Sequence, residues 1–457
     1  MRKVFLPVII ILVISLAVSF GIAKFSPKVV LLSLFGIAIA LLALVKTEYA
    51  IYLLILSMLL SPEFAIAPAA GGGSLEASRQ LIVRLDDILI LLIGLSWLAK
   101  TAFYKELGLF LKTPLNRPIF AYISICFLST FLGGLAGRLN LKLGLLYVLK
   151  YVEYFLIYFM VVNNLDSERK AKRFIFIAFL TAFLIAIFAI SQIPSGERVT
   201  APFEGKTGEP NTLGGYLLFM IALAGGIFLT TGSSKERFRW GIFALVLIVP
   251  FLYTLSRTSW LAALPAAIVF LILSDKRIPV LFLLIFLVVG LVIFAPSKVR
   301  ERIDYTFNQP PARGQIQVGG VKLDTSASAR IRSWRFGLNG WTKHPLFGYG
   351  VTGFAFMDAQ YIRTLVETGL VGFFIFLYLL FRIYREAIKV YRKLSSPFYR
   401  GIVMGYIAGF VGLIFHGIGA NTFIIIRIME PFWLFTAIVI MLPDLLRPTE
   451  KRPDLIL

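Results

Sequence analysis

Apolar runs of about 20 residues recur from one end of this chain to the other, and each is long enough to cross a hydrocarbon core of about 30 Å. A soluble core has no need of so many such runs. Hydrophobic residues make up 58% of the 457 and charged residues 15%, against roughly 45–50% and 25% in soluble domains. The alternating apolar–polar pattern of an outer-membrane barrel is absent. The expected fold is therefore all-α: a polytopic transmembrane bundle of about 12–14 spans. Spans are expected near Val4–Phe25, Val29–Val45, Ala50–Ile66, Ile88–Ala102, Ile119–Leu135, Leu145–Val162 and Phe174–Ile193. Others fall near Leu213–Thr231, Gly241–Leu255, Leu261–Ser274, Val280–Ala295, Leu370–Ile383, Ile402–His416 and Pro431–Met441. Met1-Arg2-Lys3 resembles the start of a signal peptide, but Val4–Phe25 is too long for one, with no small-residue cleavage pattern behind it.

The formal net charge of +22 would suggest nucleic acid in a soluble chain. Here it reads as topology, with no nucleic-acid partner expected. With the N-terminus inside, cytoplasmic segments hold about 25 basic residues, among them Arg169, Lys170, Lys172 and Arg173. Short outer loops hold about 10. Both termini are thus expected in the cytoplasm of a bacterium, with the chain in the inner membrane and a long loop outside. The chain divides into N-terminal spans (1–295), the long outer loop (296–369), and C-terminal spans with a cytoplasmic tail (370–457). Within the loop, helices are expected over Ala327–Trp341 and Phe354–Thr368. The second would put Asp358, Tyr361 and Leu365 on one face. Gly314–Asp324, rich in Gly, Gln and Val, is expected to be a mobile excursion.

Chemistry is expected on the outer side. Arg84, Arg198, Arg257, Arg330, Arg332 and Arg427 lie at span ends or in outer loops. Guanidinium stays charged and suits bidentate recognition of phosphate, though a span-end arginine also serves as an interface anchor by snorkelling. Arg257, between two apolar runs with no other cation beside it, fits anchoring least well. Lys150 and Glu153 sit inside an apolar span, where charge implies pairing or function. Glu367 stands four residues after Arg363, and a helix pair is the default reading. His344 belongs to a His-Pro turn. Cys126 is the sole cysteine, so no disulfide or CxxC site is available. Two histidines exclude a His-rich metal centre. There is no phosphate-binding GxxxxGK[ST] and no Asp-x-Asp in the outer loops.

Five segments taken in order resemble the O-antigen ligase/polymerase family of membrane glycosyltransferases. SRTSW (Ser256–Trp260) is similar to its Ser-Arg-x-x-Trp turn. Arg330-x-x-x-Trp334 followed by HPLFGYG (His344–Gly350) resembles its long-loop motif. YIRTLVETGLVG (Tyr361–Gly372) resembles the loop exit. Upstream, RVTAPFEGKTGEPNTLGGYL (Arg198–Leu217) and LKYVEYFLIY (Leu149–Tyr158) also fit. The resemblance covers about Leu149 to Trp433. It implies a metal-independent, cofactor-free enzyme that moves a glycan from an undecaprenyl-diphosphate-linked donor to an acceptor glycan or glycolipid hydroxyl at the outer membrane face, among membrane lipids. It also implies Arg257 and Arg330, with Arg198 as a third, on the donor diphosphate. Arg84, Lys206, Tyr361 and His416 are candidate substrate contacts.

In one place the sequence departs from the family pattern. Ligases of the family carry His eleven residues before the Gly of Glu-x-Gly; counting back from Gly369 reaches Asp358. A carboxylate can take a proton from a sugar hydroxyl, so Asp358 is the expected catalytic base, and the change favours a polymerase over a ligase. A solvated carboxylate near a helix start is the plainer reading. The rival from another class is a flippase for lipid-linked glycans, which would suit cationic spans but commonly shows internal repeats. None is visible here.

Overall fold

The computed structural model describes residues 27–67, 81–103, 111–204, 208–294, 296–309, 315–318, 321–322, 324–355 and 357–446. The expected first span, Lys206, the C-terminal tail and, within the Gly314–Asp324 excursion, Gly314, Gly319, Gly320 and Leu323 lie outside these residues. Fourteen helices and two small hairpins are described. The helices are α1 (Pro27–Leu60), α2 (Leu85–Phe103), α3 (Asn116–Leu135), α4 (Leu141–Asn164), α5 (Glu168–Gln192), α6 (Pro210–Thr230), α7 (Ser234–Tyr253), α8 (Arg257–Leu273) and α9 (Arg277–Phe294). The loop contributes α10 (Ser297–Phe307) and α11 (Thr325–Trp341), and the chain ends in α12 (Gln360–Lys393), α13 (Pro397–His416) and α14 (Ile426–Leu445). Eight of the described helices are long and apolar enough to cross a membrane; α8 and α9 are shorter apolar segments. This is the helical bundle that the apolar runs predict.

Two spans were expected within α1, and the run does break, at Lys46 (φ −143°, ψ 81°). Ser96 bonds to the carbonyl of Ala40, while the Asp86 N–H bonds to Ser61. A straight helix from Ala40 to Ser61 would span about 31 Å, yet α2 covers only about 15 Å between Asp86 and Ser96. The run therefore folds back at Lys46. Its second half stops at Leu60, short of the expected Ile66, because Pro62 biases Ser61 away from helix. The chain then enters strand β1 (Glu63–Ala67), antiparallel to β2 (Leu81–Arg84). The other hairpin pairs β3 (Gln317–Val318) with β4 (Val321–Lys322).

The centre of the bundle is α6 against α13, with α8 and α14 alongside. Glycines allow the first contact. A Cβ on Gly226 would stand 2.1 Å from the carbonyl oxygen of Gly401, and one on Gly405 would stand 2.4 Å from that of Ala222. In lipid, where association relies on close packing rather than on water exclusion, such backbone approach is what holds helices together. Phe219, Tyr406, Phe410 and Phe432 fill the space beside it with stacked and edge-on rings. Exposed leucines and phenylalanines on α5, α8 and α9 form the outer surface expected of lipid-facing helices.

The loop's exit is built around a broken helix. At Gly369 the backbone of α12 swings to φ 67°, ψ −171°. The turn of His344–Gly350 docks into the break: Tyr349 and Gly350 donate to the carbonyls of Val366 and Glu367, at 3.0 and 2.8 Å, and Leu370 and Val371 donate to those of Pro345 and Leu346, at 2.8 and 3.2 Å. Backbone groups freed by the break thus find partners in the turn, as any buried helix break requires. The two sequence motifs are halves of one structural joint. Ser129 of α3 reinforces it with a bond to Glu367 O at 2.7 Å.

Candidate functional site

Arg257 is the first residue of α8. Ser256 caps that helix, its hydroxyl accepting from the Ser259 N–H, so the cap fixes where the guanidinium emerges. Arg257 forms a two-pronged pair with Asp324, Nη1 to Oδ2 at 2.6 Å and Nη2 to Oδ1 at 3.1 Å. Asp324 is itself the cap of α11, accepting from Ser326 and Ala327. Burial works to raise the Asp324 carboxyl, but the Ala327 N–H and Arg257 outweigh it and hold the group below its ordinary range. One carboxylate therefore ties the helix bearing Arg330 to the helix bearing Arg257.

Three further arginines gather there. Arg198, in the loop before α6, donates from Nε to the carbonyl of Thr254 at 2.9 Å. Burial lowers its pKa to about 10, helped by the charges of Arg302, Arg257 and Arg330. Arg302 of α10 is lowered by burial and by Arg257, with Asp324 opposing. Arg330 is lowered by burial; Asp358 pulls it back up and Arg257 pushes it down. Among the described residues, these four cations face two carboxylates, Asp324 and Asp358, a surplus of two positive charges.

Asp358 sits in a bend two residues before α12, not on a helix. The expected helix over Phe354–Thr368 begins only at Gln360, so the shared face with Tyr361 and Leu365 is not formed. The chain from Thr352 (φ 70°) to Ala359 (φ −158°, ψ 106°) must instead run back from the docked turn to reach Gln360, whose N–H bonds to Gly417 O. The Asp358 side chain is accessible yet recessed. Burial raises its carboxyl pKa, and Arg330 and Arg363 oppose the rise. Asn421 donates to Met357 O at 2.7 Å and reaches Asp358 Oδ1 at 3.4 Å.

Beneath the arginines runs a buried chain of hydrogen bonds. Ser256 donates to Asn211 Oδ1 at 2.7 Å, and Ser259 donates to Ser256 Oγ at 2.8 Å. The Ser259 proton is thereby used, so at its 3.1 Å contact with His416 Nε2 the serine must accept. His416 then carries its proton on Nε2, and Nδ1 accepts from the Thr422 hydroxyl at 2.7 Å. His416 is fully buried and holds the base of the site together. Gly214 and Gly215 leave the room: a Cβ on Gly214 would stand 2.3 Å from Ser259 Oγ, and one on Gly215 3.1 Å from His416 Cε1.

Of the residues singled out in the sequence, Arg198, Arg257, Arg330 and Asp358 share this site, and His416 lies under it. Tyr361 is half-buried and donates to Ile414 O at 2.6 Å. Arg84 is elsewhere, buried among carboxylates near the start of α2. Glu367 and Arg363 form the expected helix pair, at 3.2 Å. Sequence reasoning missed Arg302, which belongs to no motif, and Asp324, whose place before Thr-Ser was a legible helix-cap signal.

Comparison with known proteins agrees with the motifs. The model of the family described as O-Antigen ligase matches residues 242–377, a segment that contains Arg257, Arg302, Asp324, Arg330 and Asp358. The resemblance read from the sequence holds over that segment, and it supports a membrane glycan ligase or polymerase type of role. A comparison with curated proteins gave no match.

Proposed function

We propose that this protein is a glycosyltransferase of the bacterial cytoplasmic membrane. It takes a glycan from an undecaprenyl-diphosphate-linked donor and joins it to a hydroxyl of an acceptor glycan or glycolipid at the outer face, with both termini in the cytoplasm. The converging arginines carry the reading. A diphosphate esterified at both ends bears two negative charges, the complement of the surplus on Arg198, Arg257, Arg302 and Arg330. Planar guanidinium forks suit its oxygens.

In the reaction, Asp358 takes the proton from the acceptor hydroxyl. The oxygen attacks the anomeric carbon as the bond from that carbon to the diphosphate oxygen breaks. The lipid diphosphate leaves with one more negative charge than it had as a diester. Fixed cations that meet this developing charge lower the barrier more than they stabilise the bound donor. Asp358 is recessed and its pKa is raised, so it is a stronger base than a free carboxylate. Arginine charge here does the work of a divalent cation, and no metal is assigned to the step.

The test is to reconstitute the purified protein in liposomes with a lipid-diphosphate glycan and an acceptor. Transfer with release of lipid diphosphate is the expected result. Movement of the donor across the bilayer without transfer would replace this reading with a flippase.

A further inference from the structure

The loop between α13 and α14, residues 417–425, lies outside the segment matched by the family model. It touches both halves of the site. On one side Gly419 packs against Thr258, the residue after Arg257: a Cβ on Gly419 would stand 3.0 Å from the threonine side chain. His416, which leads into the loop, meets Ser259 one residue further along α8. On the other side Asn421 donates from Nδ2 to Met357 O at 2.7 Å and reaches Asp358 Oδ1 at 3.4 Å. The Gln360 N–H bonds to Gly417 O at 3.0 Å, and Gln360 Oε1 accepts from the Phe423 N–H at 2.9 Å. Asp358 is thus flanked by two residues, Met357 and Gln360, that are both tied to this one loop.

The loop is closed on itself and so can act as a fixed reference. Asn421 O accepts from the N–H groups of Ile424 and Ile425 at 3.0 and 3.2 Å, and the Thr422 hydroxyl is held by His416. Asn421 is 5% exposed. Its bond to a carbonyl fixes which end of the amide faces Met357, because only Nδ2 can donate. Oδ1 is then left buried with no partner. Such an atom costs stability. Among the described residues, the side chain bonds only to Met357 and Asp358. Its polar contacts therefore serve the Asp358 stretch, at the expense of an unsatisfied oxygen.

Spacing is what these contacts govern. The attacking oxygen must reach the anomeric carbon on the side away from the leaving oxygen, and an error of about 1 Å costs on the order of 100-fold in rate. Asp358 and Arg257 lie in segments far apart in the sequence, and the loop contacts both. Given the roles proposed above for Asp358 and Arg257, on which this rests, we infer that the α13–α14 loop sets the distance between the base and the diphosphate site, with Asn421 as the positioning residue for Asp358.

The test uses the full-length protein in liposomes with a lipid-diphosphate glycan and an acceptor. Asn421→Ala should lower kcat about tenfold or more and leave donor affinity at the wild-type value. Its melting temperature should stay close to wild type, because the lost bond to Met357 is offset by removal of the unsatisfied Oδ1. Asn421→Asp keeps the shape of the side chain and sets a second carboxylate beside Asp358. The charges already acting on Asp358 are Arg330 of α11 and Arg363 of α12. A like charge disfavours ionisation of its neighbour, so the acid limb of the pH–rate profile should move up by about one pH unit or more. Should Asn421→Ala fail to fold, the isosteric Asn421→Asp carries the test by itself. Wild-type kcat in Asn421→Ala, donor affinity that falls in step with kcat, or an unmoved limb in Asn421→Asp would overturn the inference. Asp358→Asn, assayed in parallel, scores the underlying reading: transfer retained there removes the base role itself. Transfer abolished there, with Asn421→Ala at wild-type kcat, leaves the base role standing and strikes only the positioning role.

Discussion

Arg257→Ala separates the structural part of the arginine site from its chemistry. The change removes a pair whose members are 15% and 5% exposed, leaving Asp324 buried without its cation. Loss of one partner of a buried pair costs about 3–5 kcal/mol. Asp324 keeps its two backbone bonds from Ser326 and Ala327, so the lower end, about 3 kcal/mol, is expected. The same guanidinium is assigned to the donor, where a charged hydrogen bond contributes about 1.5–3 kcal/mol, or roughly 10- to 150-fold in affinity. The double variant Arg257→Ala/Asp324→Asn removes the stranded charge and keeps an oxygen for the two cap bonds. It should recover most of the lost thermal stability and none of the lost transfer. Arg257→Lys should recover transfer only in part, because a point charge cannot reproduce the two-pronged geometry. The assay is a melting curve in detergent beside donor-dependent transfer in liposomes. Wild-type transfer by Arg257→Ala/Asp324→Asn would refute the donor role of Arg257. Equal instability of single and double variants would refute the account of the pair.

Asp358→Asn should abolish transfer while donor affinity stays within about threefold of wild type, since the arginines carry the diphosphate; weakened donor binding, measured by titration, would make Asp358 a structural residue. Because the base works deprotonated and its pKa is raised by burial, the rate should climb with pH through an acid limb lying above the ordinary carboxyl value of about 3.9. A pH–rate profile already flat at pH 4 would contradict this. Gly369→Ala should cost about 2 kcal/mol or more, read as a drop in melting temperature, because a Cβ there has φ 67° and would stand 2.2 Å from Leu346 O. His416→Leu should lower stability through the stranded hydroxyls of Ser259 and Thr422 without moving the acid limb of the rate profile; a shifted limb would mean that His416 takes part in proton transfer.

The bundle was legible because span length is set by the bilayer, so apolar runs mark helices whatever their partners. What failed were places governed by contacts between distant segments. The helix expected over Phe354–Thr368 had good periodicity, but its first part is tied to a distant segment instead: Asn421 donates to Met357 O and the Gln360 N–H to Gly417 O. Arg257, Arg330 and Arg198 were visible as cations at span ends or in loops. Arg302 was not, because it joins them only through the way α10 returns to the junction of α7 and α8. Arg84 looked the same as the others in sequence, and only the placement of Asp86 and Glu430 sets it apart.

The glycine contact between α6 and α13 has a consequence for how the protein is made. Thr230 near the end of α6 bonds to Pro397 at the start of α13, 167 positions later. At about 5–20 residues per second, a ribosome needs roughly 10–30 seconds to supply the second helix after the first. Throughout that interval the bare backbone groove at Gly226 lies open in the bilayer. The face of α6 that receives α13 must therefore wait, without its partner, for the tail of the chain. Chains cut short before α13 should be removed by membrane proteases, however complete their earlier helices are.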